Sequence, residues 1–342
     1  MKIAVLGGGH GAYAAAADLA EQGHEVRHWR RNGALLSPGI TLLDEKGSRF
    51  IKIKIESEIG KAVSDAELIL VPGPATAQMD IARAMAPYVE DGQVVFLPPG
   101  TFGSYAMAQA VKAKLLWAET GTLPWLARKR GPAEVAITIR AVRLPTGVFP
   151  FEKKVQAIAV IRKAFPAVEP CGNALSGALM NAGPIIHPPL ILMNAGPLEA
   201  SDDYNIHNEG TQPAVRAVTD RLDTERIAVR EALGFGAPHY PLKDHYTSDR
   251  WMYGDAHKKL VDSGDWREPV PLREHRYMTE DVVFGLAFLV SVGRWARVPT
   301  PVAEGLLALA GAILGKDLLK GERTLQGLGL ASLSREDLFR KL

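Results

Sequence analysis

The sequence predicts an α/β fold with two domains: a doubly wound, mostly parallel sheet over residues 1–172 and an all-helical domain over residues 173–342. In the first part, apolar runs typical of buried strands alternate with helical segments. Beyond it, strand patterns give way to long helical ones. The clearest helices are predicted over residues 173–193, 212–233, 281–295 and 301–314.

The predicted strands determine where a ligand should bind. They cover residues 1–6, 25–29, 93–97, 114–119 and 135–139, and a further buried strand follows a helix end within residues 64–71. Because helical segments separate them, the strands are expected to lie parallel, and ligands of such sheets bind at the carboxyl ends of the strands. We therefore expect the loops after these strands to contribute cofactor-binding residues, namely Pro72, Pro99, Gly100 and Glu119.

A glycine-rich loop, residues 7–12, connects the first strand to the first helix. Its sequence GGGHGA fits the dinucleotide-binding pattern G-x-G-x-x-A. Gly7 allows the tight turn, Gly9 lets the backbone approach a pyrophosphate, and Ala12 lets the helix pack closely on the strand. The N-terminus of the helix offers N–H groups to the phosphates. The loop predicts a Rossmann-type NAD(P) site formed by Gly7, Gly9, His10, Gly11 and Ala12.

Two arginines follow the second strand, where sites for NAD usually have an acid that bonds the ribose 2′-hydroxyl. Arg30 and Arg31 are suited to pair with the 2′-phosphate of NADP, and Arg30 also to stack on the adenine. The alternative is that both are solvated surface charges. On this chemistry the sequence predicts NADP in preference to NAD.

Composition excludes several classes of function. A net charge of +2 over 342 residues is too balanced for a nucleic-acid-binding protein or one that binds an anionic membrane. The single cysteine, Cys171, rules out an internal disulfide and fits a reducing compartment, so a cytoplasmic location is expected. No signal peptide is recognisable, and the most apolar stretches are too short to span a bilayer. No metal-binding motif accompanies the nine histidines, so no catalytic metal is expected.

His187 is the strongest candidate for acid/base chemistry. It lies in an apolar segment, residues 181–194, between isoleucines and prolines, so it needs a polar partner or faces a cleft. It is either a satisfied core histidine or a proton donor for hydride transfer. A second segment supplies possible partners. There, Thr279 is placed to cap a helix, and Asp281 would then lie in the first turn of that helix. The alternative is that Asp281 points towards His187 and Arg276 towards a substrate carboxylate.

Short motifs along nearly the whole chain resemble the opine dehydrogenase family, most of all its bacterial N-(carboxyalkyl)-amino-acid dehydrogenase branch, also called octopine/nopaline dehydrogenase. They occur, in order, at residues 7–12, 118–120, 187–188, 194–195, 209–211, 223–226, 276–277, 280–281, 299–301 and 321–330. The resemblance implies that His187 is the catalytic histidine, Asp281 its acidic partner and Arg276 the ligand of a substrate carboxylate. Asn181 and Tyr277 complete the expected substrate-binding set.

Two positions depart from the family pattern. Some members have asparagine four residues before the catalytic histidine, where this chain has Gly183, with Asn181 two residues earlier. Some members that use NAD have an acid at the end of the second strand, where this chain has Arg30. The first departure concerns the substrate and the second the cofactor.

The resemblance implies an opine-type dehydrogenase that joins a 2-oxo acid to an amino acid or amine through an imine, and Arg30 and Arg31 predict NADP as its cofactor. The apolar helices of the second domain either bury a homodimer interface or form a core. A ketopantoate reductase-like enzyme is an alternative, but such enzymes resemble one another in a lysine on the first long helix of the second domain, and residues 175–194 contain none. A non-catalytic NADP-sensing protein is the alternative of another class. The polar segment 244–276 is expected to be irregular, either a surface excursion or a lid over the cleft, and to select the amine.

Overall fold

The computed structural model describes residues 1–31, 37–256, 258–259, 262 and 269–342. The chain divides into two compact units. Unit 1 comprises Met1–Ala178 and Met252–Asp262 with Leu342, and unit 2 comprises Leu179–Trp251 and Ser263–Lys341. The segment beginning at Met252 thus belongs to the first unit although it lies far beyond the sheet in sequence. Within the described residues no helix combines the length and apolarity needed to cross a membrane.

Unit 1 contains the strands. They are β1 (Lys2–Leu6), β2 (Glu25–Trp29), β3 (Gly39–Asp44), β4 (Gly47–Lys52), β5 (Lys54–Glu56), β6 (Leu68–Leu70), β7 (Val94–Leu97), β8 (Leu116–Thr120), β9 (Trp125–Gly131), β10 (Glu134–Arg140), β11 (Leu144–Phe149) and β12 (Val168–Asn173). Its helices are α1 (His10–Glu21), α2 (Ile59–Val63), α3 (Ala75–Met85), α4 (Gly103–Ala108), α5 (Lys154–Arg162) and α6 (Ala174–Ala178).

The large sheet has eight strands in the order β12-β11-β8-β7-β6-β1-β2-β5. Its neighbours are parallel except β11, which runs antiparallel to β8. Both faces are covered, as a parallel sheet requires: Ile3 and Val5 of β1 pack into one core cluster, and Ala4 and Leu6 into the other. This sheet is the predicted doubly wound architecture.

A second sheet was missed by the sequence analysis. It has four strands in the order β4-β3-β10-β9, so residues 135–139, expected in the large sheet, belong to this one. Helix α1 lies between the two sheets, which is why its alanines are buried. Asp18 of α1, 5% exposed, accepts hydrogen bonds from Trp125 Nε1 at 2.8 Å and Arg140 Nη2 at 2.7 Å and so ties the small sheet to the helix.

Unit 2 is helical. Its helices are α7 (Gly183–Met193), α8 (Ala195–Ala200), α9 (Pro213–Ala232), α10 (Lys243–Thr247), a π-helix (Tyr277–Leu286), α11 (Ala287–Ala296), α12 (Pro301–Leu314) and α13 (Arg335–Lys341). The helix predicted over 173–193 is interrupted at residues 179–182. There the Leu179 carbonyl accepts a hydrogen bond from Arg226 Nη1 at 3.0 Å, and α7 begins at Gly183 with Pro184 in its first turn.

The segment 244–276 is only in part the irregular surface excursion expected from its polarity. It begins within α10, and Trp251 and Met252 are 2% and 1% exposed. Trp251 Nε1 donates to the Tyr240 carbonyl at 3.1 Å, so the indole is buried with its polar atom satisfied. Residues 257, 260, 261 and 263–268 of this segment lie outside the described residues.

Candidate active site

The glycine loop is fixed on one side by the second strand. Gly7 has φ +145°, a conformation that L side chains rarely adopt, and its N–H donates to the Trp29 carbonyl at 2.8 Å. His28 Nε2 lies 2.7 Å from the Gly7 carbonyl oxygen. Burial lowers the pKa of His28 to about 4, so at neutral pH the ring is uncharged and Nε2–H is the donor.

The rest of the loop fits a dinucleotide. Gly8, Gly9 and His10 are exposed, and a Cβ on Gly9 would meet nothing within 4 Å, so the backbone is open to a ligand. Ala12 is buried against the core as the close packing of α1 requires. At Gly11 a Cβ would approach the Pro72 carbonyl oxygen to 3.1 Å, which places the Pro72 loop beside the N-terminus of α1.

The two arginines predicted to read the 2′-phosphate differ in their contacts. Arg30 lies along the glycine loop, with its Cβ and Cδ 3.5 Å from where a Gly8 side chain would begin. Its Nη1 donates to Tyr13 Oη at 3.1 Å. Arg31 is more exposed and its Nη1 pairs with Asp80 Oδ2 at 3.1 Å. Arg30 is therefore the arginine held at the loop.

Glu119 stabilises a neighbouring loop. It is fully buried, and its carboxylate accepts hydrogen bonds from the Phe102 N–H at 2.7 Å and from the Ser104 hydroxyl. Thr101 and Phe102 are both left-handed, with φ +54° and +60°, which is costly for residues with side chains. These bonds hold the strained loop after Pro99 and Gly100 at the carboxyl end of β7. A Cβ on Gly100 would clash with the Glu119 carboxylate.

In unit 2, α7 and the π-helix bring His187 and Asp281 together. His187 Nδ1 and Asp281 Oδ2 are 2.7 Å apart, and their side chains are 12% and 6% exposed. Burial raises the pKa of the Asp281 carboxyl to about 6, whereas the positive charges of Arg276 and His275 lower it. A carboxylate beside Nδ1 is an arrangement that fixes the orientation and tautomer of an imidazole.

Tyr277 was expected to bind substrate, but its ring is 1% exposed and packs on the imidazole. The His187 and Tyr277 rings are stacked with centroids 3.7 Å apart and planes 10° apart. Tyr277 Oη lies 2.9 Å from His207 Nε2. The tyrosine thus connects His187 to a third histidine that sequence reasoning did not select, because His207 lies in an ordinary polar stretch without a motif.

The surroundings of Gly183, the position where some family members have asparagine, are seen in the structure. A Cβ at Gly183 would clash with Asp281 Oδ1, so a larger residue at this position would require the carboxylate to move. Asn181 is 5% exposed, and its Oδ1 accepts the Gly183 N–H at 3.0 Å. The same Oδ1 lies 3.4 Å from where a residue-183 side chain would begin. Asn181 therefore brings an amide group next to that position from two residues earlier.

Arg276 is the exposed positively charged residue near the His187–Asp281 pair. Its side chain is 51% exposed and its guanidinium lies 5.4 Å from the centroid of the Tyr277 ring. Arg276 Nη1 is 3.7 Å from Glu280 Oε2, a long ion pair with a buried acid. A half-exposed guanidinium next to the His187–Asp281 pair is suited to a substrate carboxylate. Among the described residues, no group of three or more metal-ligating side chains exists.

Known proteins are similar to this chain in sequence and in fold. Residues 170–314 match the family described as NAD/NADP octopine/nopaline dehydrogenase, alpha-helical domain. An opine dehydrogenase of Arthrobacter sp. (strain 1C) is 29% identical over 348 residues, which cover 97% of this chain and 96% of the relative.

Two solved structures show the same fold at low identity. Octopine dehydrogenase with NADH and L-arginine has a TM-score of 0.73 and 19% identity, over 99% of this chain and 98% of that chain. Yersinopine dehydrogenase with NADP+ bound has a TM-score of 0.70 and 15% identity, over 100% and 99% of the two chains. The predicted fold class is confirmed.

Proposed function

We propose that this chain is a member of the opine dehydrogenase family of pyridine-nucleotide-dependent oxidoreductases and that it reductively condenses a 2-oxo acid with an amino acid or amine. The carbonyl carbon and the amine nitrogen join with loss of water to give an imine. The bound nicotinamide supplies a hydride for the imine carbon, and a proton completes the secondary amine at nitrogen. The oxidation of the product runs through the same steps in reverse.

The His187–Asp281 pair is the observation that carries this proposal. An imidazole whose Nδ1 is held by a buried carboxylate can exchange protons through Nε2, and the carboxylate stabilises the charged form of the ring. We assign His187 as the general acid/base that moves a proton at the amine or imine nitrogen. Asp281 orients the ring.

Substrate binding is assigned to two neighbours of the pair. Arg276 presents a half-exposed guanidinium for a carboxylate, and the planar fork suits the carboxylates of both the 2-oxo acid and an amino acid. Asn181 offers an amide beside Asp281 and is assigned a supporting contact to the substrate. Tyr277 is assigned to hold the imidazole instead of touching substrate, because its ring is buried.

NADP is the cofactor we propose, held by Gly7, Gly9, His10, Gly11 and Ala12. The open loop backbone and the first turn of α1 favour the pyrophosphate, and Arg30 at the loop favours a 2′-phosphate. Pro72, Pro99, Gly100 and Glu119 shape the adjoining loops, and Arg31 contributes positive charge from the surface. The two domains are proposed to have separate roles: the first binds the cofactor and the second provides the acid/base residues.

A homodimer and a cytoplasmic location also remain proposals. Helix α12 exposes Leu309 by 58%, on a face that also includes Gly305, Ala308 and Ala312. Apolar side chains on one face of a helix are typical of contacts between subunits. Light scattering of the purified protein and of Leu309→Glu tests the dimer: a monomeric mass for both proteins would contradict it.

Cofactor oxidation separates the competing functions. The protein is incubated with NADPH or NADH and pyruvate, with and without a panel of amino acids and amines. Oxidation that requires both substrates is expected, with NADPH preferred. Oxidation with the 2-oxo acid alone would indicate a ketopantoate reductase-like enzyme, and no oxidation with any combination would indicate a sensing protein.

A further inference from the structure

We propose that Lys129, on strand β9 of the small sheet, is a second ligand of the 2′-phosphate of NADP and a determinant of cofactor specificity. The inference rests on the proposed function in one respect, that the glycine loop holds a dinucleotide. It adds a residue from a different part of the chain, 119 positions after His10.

Two contacts fix β9 to the glycine loop. The Lys129 N–H donates to His10 Nδ1 at 2.9 Å, so the strand backbone reaches the first residue of α1. Tyr13 Oη donates to the Pro132 carbonyl at 2.9 Å, in the turn between β9 and β10. The hairpin is thus held beside the loop by α1 itself, and the position of Lys129 follows from the same helix that would bind the pyrophosphate.

Tyr13 also brings two positive charges together. Lys129 Nζ lies over the tyrosine ring, 4.3 Å from its centroid, and Arg30 Nη1 bonds its hydroxyl at 3.1 Å. Both cations contribute to the low pKa of His28, on the strand just before Arg30. In Rossmann-type sites the end of the second strand is where an arginine accommodates the 2′-phosphate. Lys129 reaches this place from across the helix.

The charge balance favours an anion here. Lys129 forms no ion pair with any carboxylate of the described residues, in contrast to Arg31, which pairs with Asp80. A phosphate monoester carries up to two negative charges, which two cations complement better than one. The basic run at residues 128–130 thereby acquires a function that no motif indicated.

Fragments of the cofactor test the assignment without turnover. Calorimetric titration with adenosine 2′,5′-bisphosphate and with 5′-AMP isolates the 2′-phosphate. Lys129→Met removes the charge and keeps the aliphatic stem over Tyr13. Lys52→Met is the matched control, because Lys52 is an exposed lysine on β4, at the opposite edge of the same sheet.

Lys129→Met is expected to weaken the bisphosphate about tenfold, equivalent to ~1.4 kcal/mol, and to leave 5′-AMP unchanged. Lys129→Arg should retain most of the affinity, and Lys52→Met should match the parent protein. The proposal would be overturned if Lys129→Met weakened the binding of both fragments equally or of neither. It would also be overturned if the parent protein bound both fragments equally. Because binding needs no second substrate, an inactive protein that still binds the bisphosphate preferentially would contradict the proposed function alone.

Discussion

His28 in the cofactor region is buried and His187 in the helical unit is partly buried, and both lie beside a tyrosine, yet their environments differ. His28 donates to a backbone carbonyl, meets Tyr13 edge-on, and is held neutral by burial and by nearby cations. His187 meets a carboxylate and stacks face to face on Tyr277. Because the partner of His28 is an uncharged carbonyl, His28 stabilises the conformation of the glycine loop. A buried anionic partner lets the second accept a proton.

The largest expected effect comes from removing the second histidine. His187→Ala should lower kcat by about 10³-fold, because general acid/base catalysis contributes rate increases of this order. NADPH affinity, measured by fluorescence titration, should stay within a factor of about two. His28→Phe is the matched control, since it removes a buried imidazole without touching the pair. Full turnover by His187→Ala would contradict the assignment.

Asp281→Asn should lower kcat by about 10²-fold, because the amide no longer stabilises a charged imidazole. It should also stabilise the fold at pH 7. The carboxyl has a pKa of about 6 in the folded protein against 3.8 ordinarily, so the folded state loses stability as pH rises through that interval.

The stability of the two proteins is compared by urea unfolding at pH 4 and pH 7. The gain of Asp281→Asn over the parent protein should be larger at pH 7, on the order of 1–2 kcal/mol. A gain that does not change with pH would show that burial of the charge is not the cause.

Tyr277 distinguishes ring packing from hydrogen bonding. Tyr277→Leu removes the stacked face and should lower kcat about tenfold by letting the imidazole turn away. Tyr277→Phe keeps the ring, loses only the contact with His207, and should cost about threefold. Steady-state kinetics over a range of pH measure both. A large rise in KM with constant kcat would instead indicate direct substrate contact.

The smallest effect is expected at His28. His28→Phe keeps the aromatic contact with Tyr13 but loses the donor to Gly7, at a cost of about 1 kcal/mol. The pKa of His28 is about 4 when folded against 6.5 ordinarily, so the unfolded state takes up the proton first and stability falls as pH drops from 6.5 to 4.

Thermal unfolding between pH 4 and 7 measures this dependence. The variant should show a flatter profile than the parent protein and normal kcat with saturating cofactor. A kcat as low as that of His187→Ala would remove the distinction between the two histidines.

The two regions also differ in how much their sequence predicts. The glycine loop is readable because turn, helix and strand are adjacent along the chain, and its Gly7 conformation follows from the motif. His187 and Asp281 are 94 residues apart, and no local pattern joins them. Their pairing was expected from family resemblance and not from spacing.

Local propensity was misleading in the same region. Thr279 has the chemistry of a helix cap, but the π-helix begins at Tyr277, and the Thr279 hydroxyl donates to the His275 carbonyl at 3.3 Å. Strands β3 and β4 were missed because their alternation depends on a partner sheet that only tertiary structure supplies. Lys129 was missed for the same reason.

The π-helix makes the number of residues between Arg276 and Asp281 important for the geometry of the site. Its wide turns are closed by bonds such as that from the Ala287 N–H to the Val282 carbonyl, five residues back. In an α-helix, residues three or four apart share a face and residues five apart do not. Arg276 and Asp281 are five apart. If this segment were an α-helix of the same length, Arg276 and Asp281 would lie on different faces, even with every functional side chain still present.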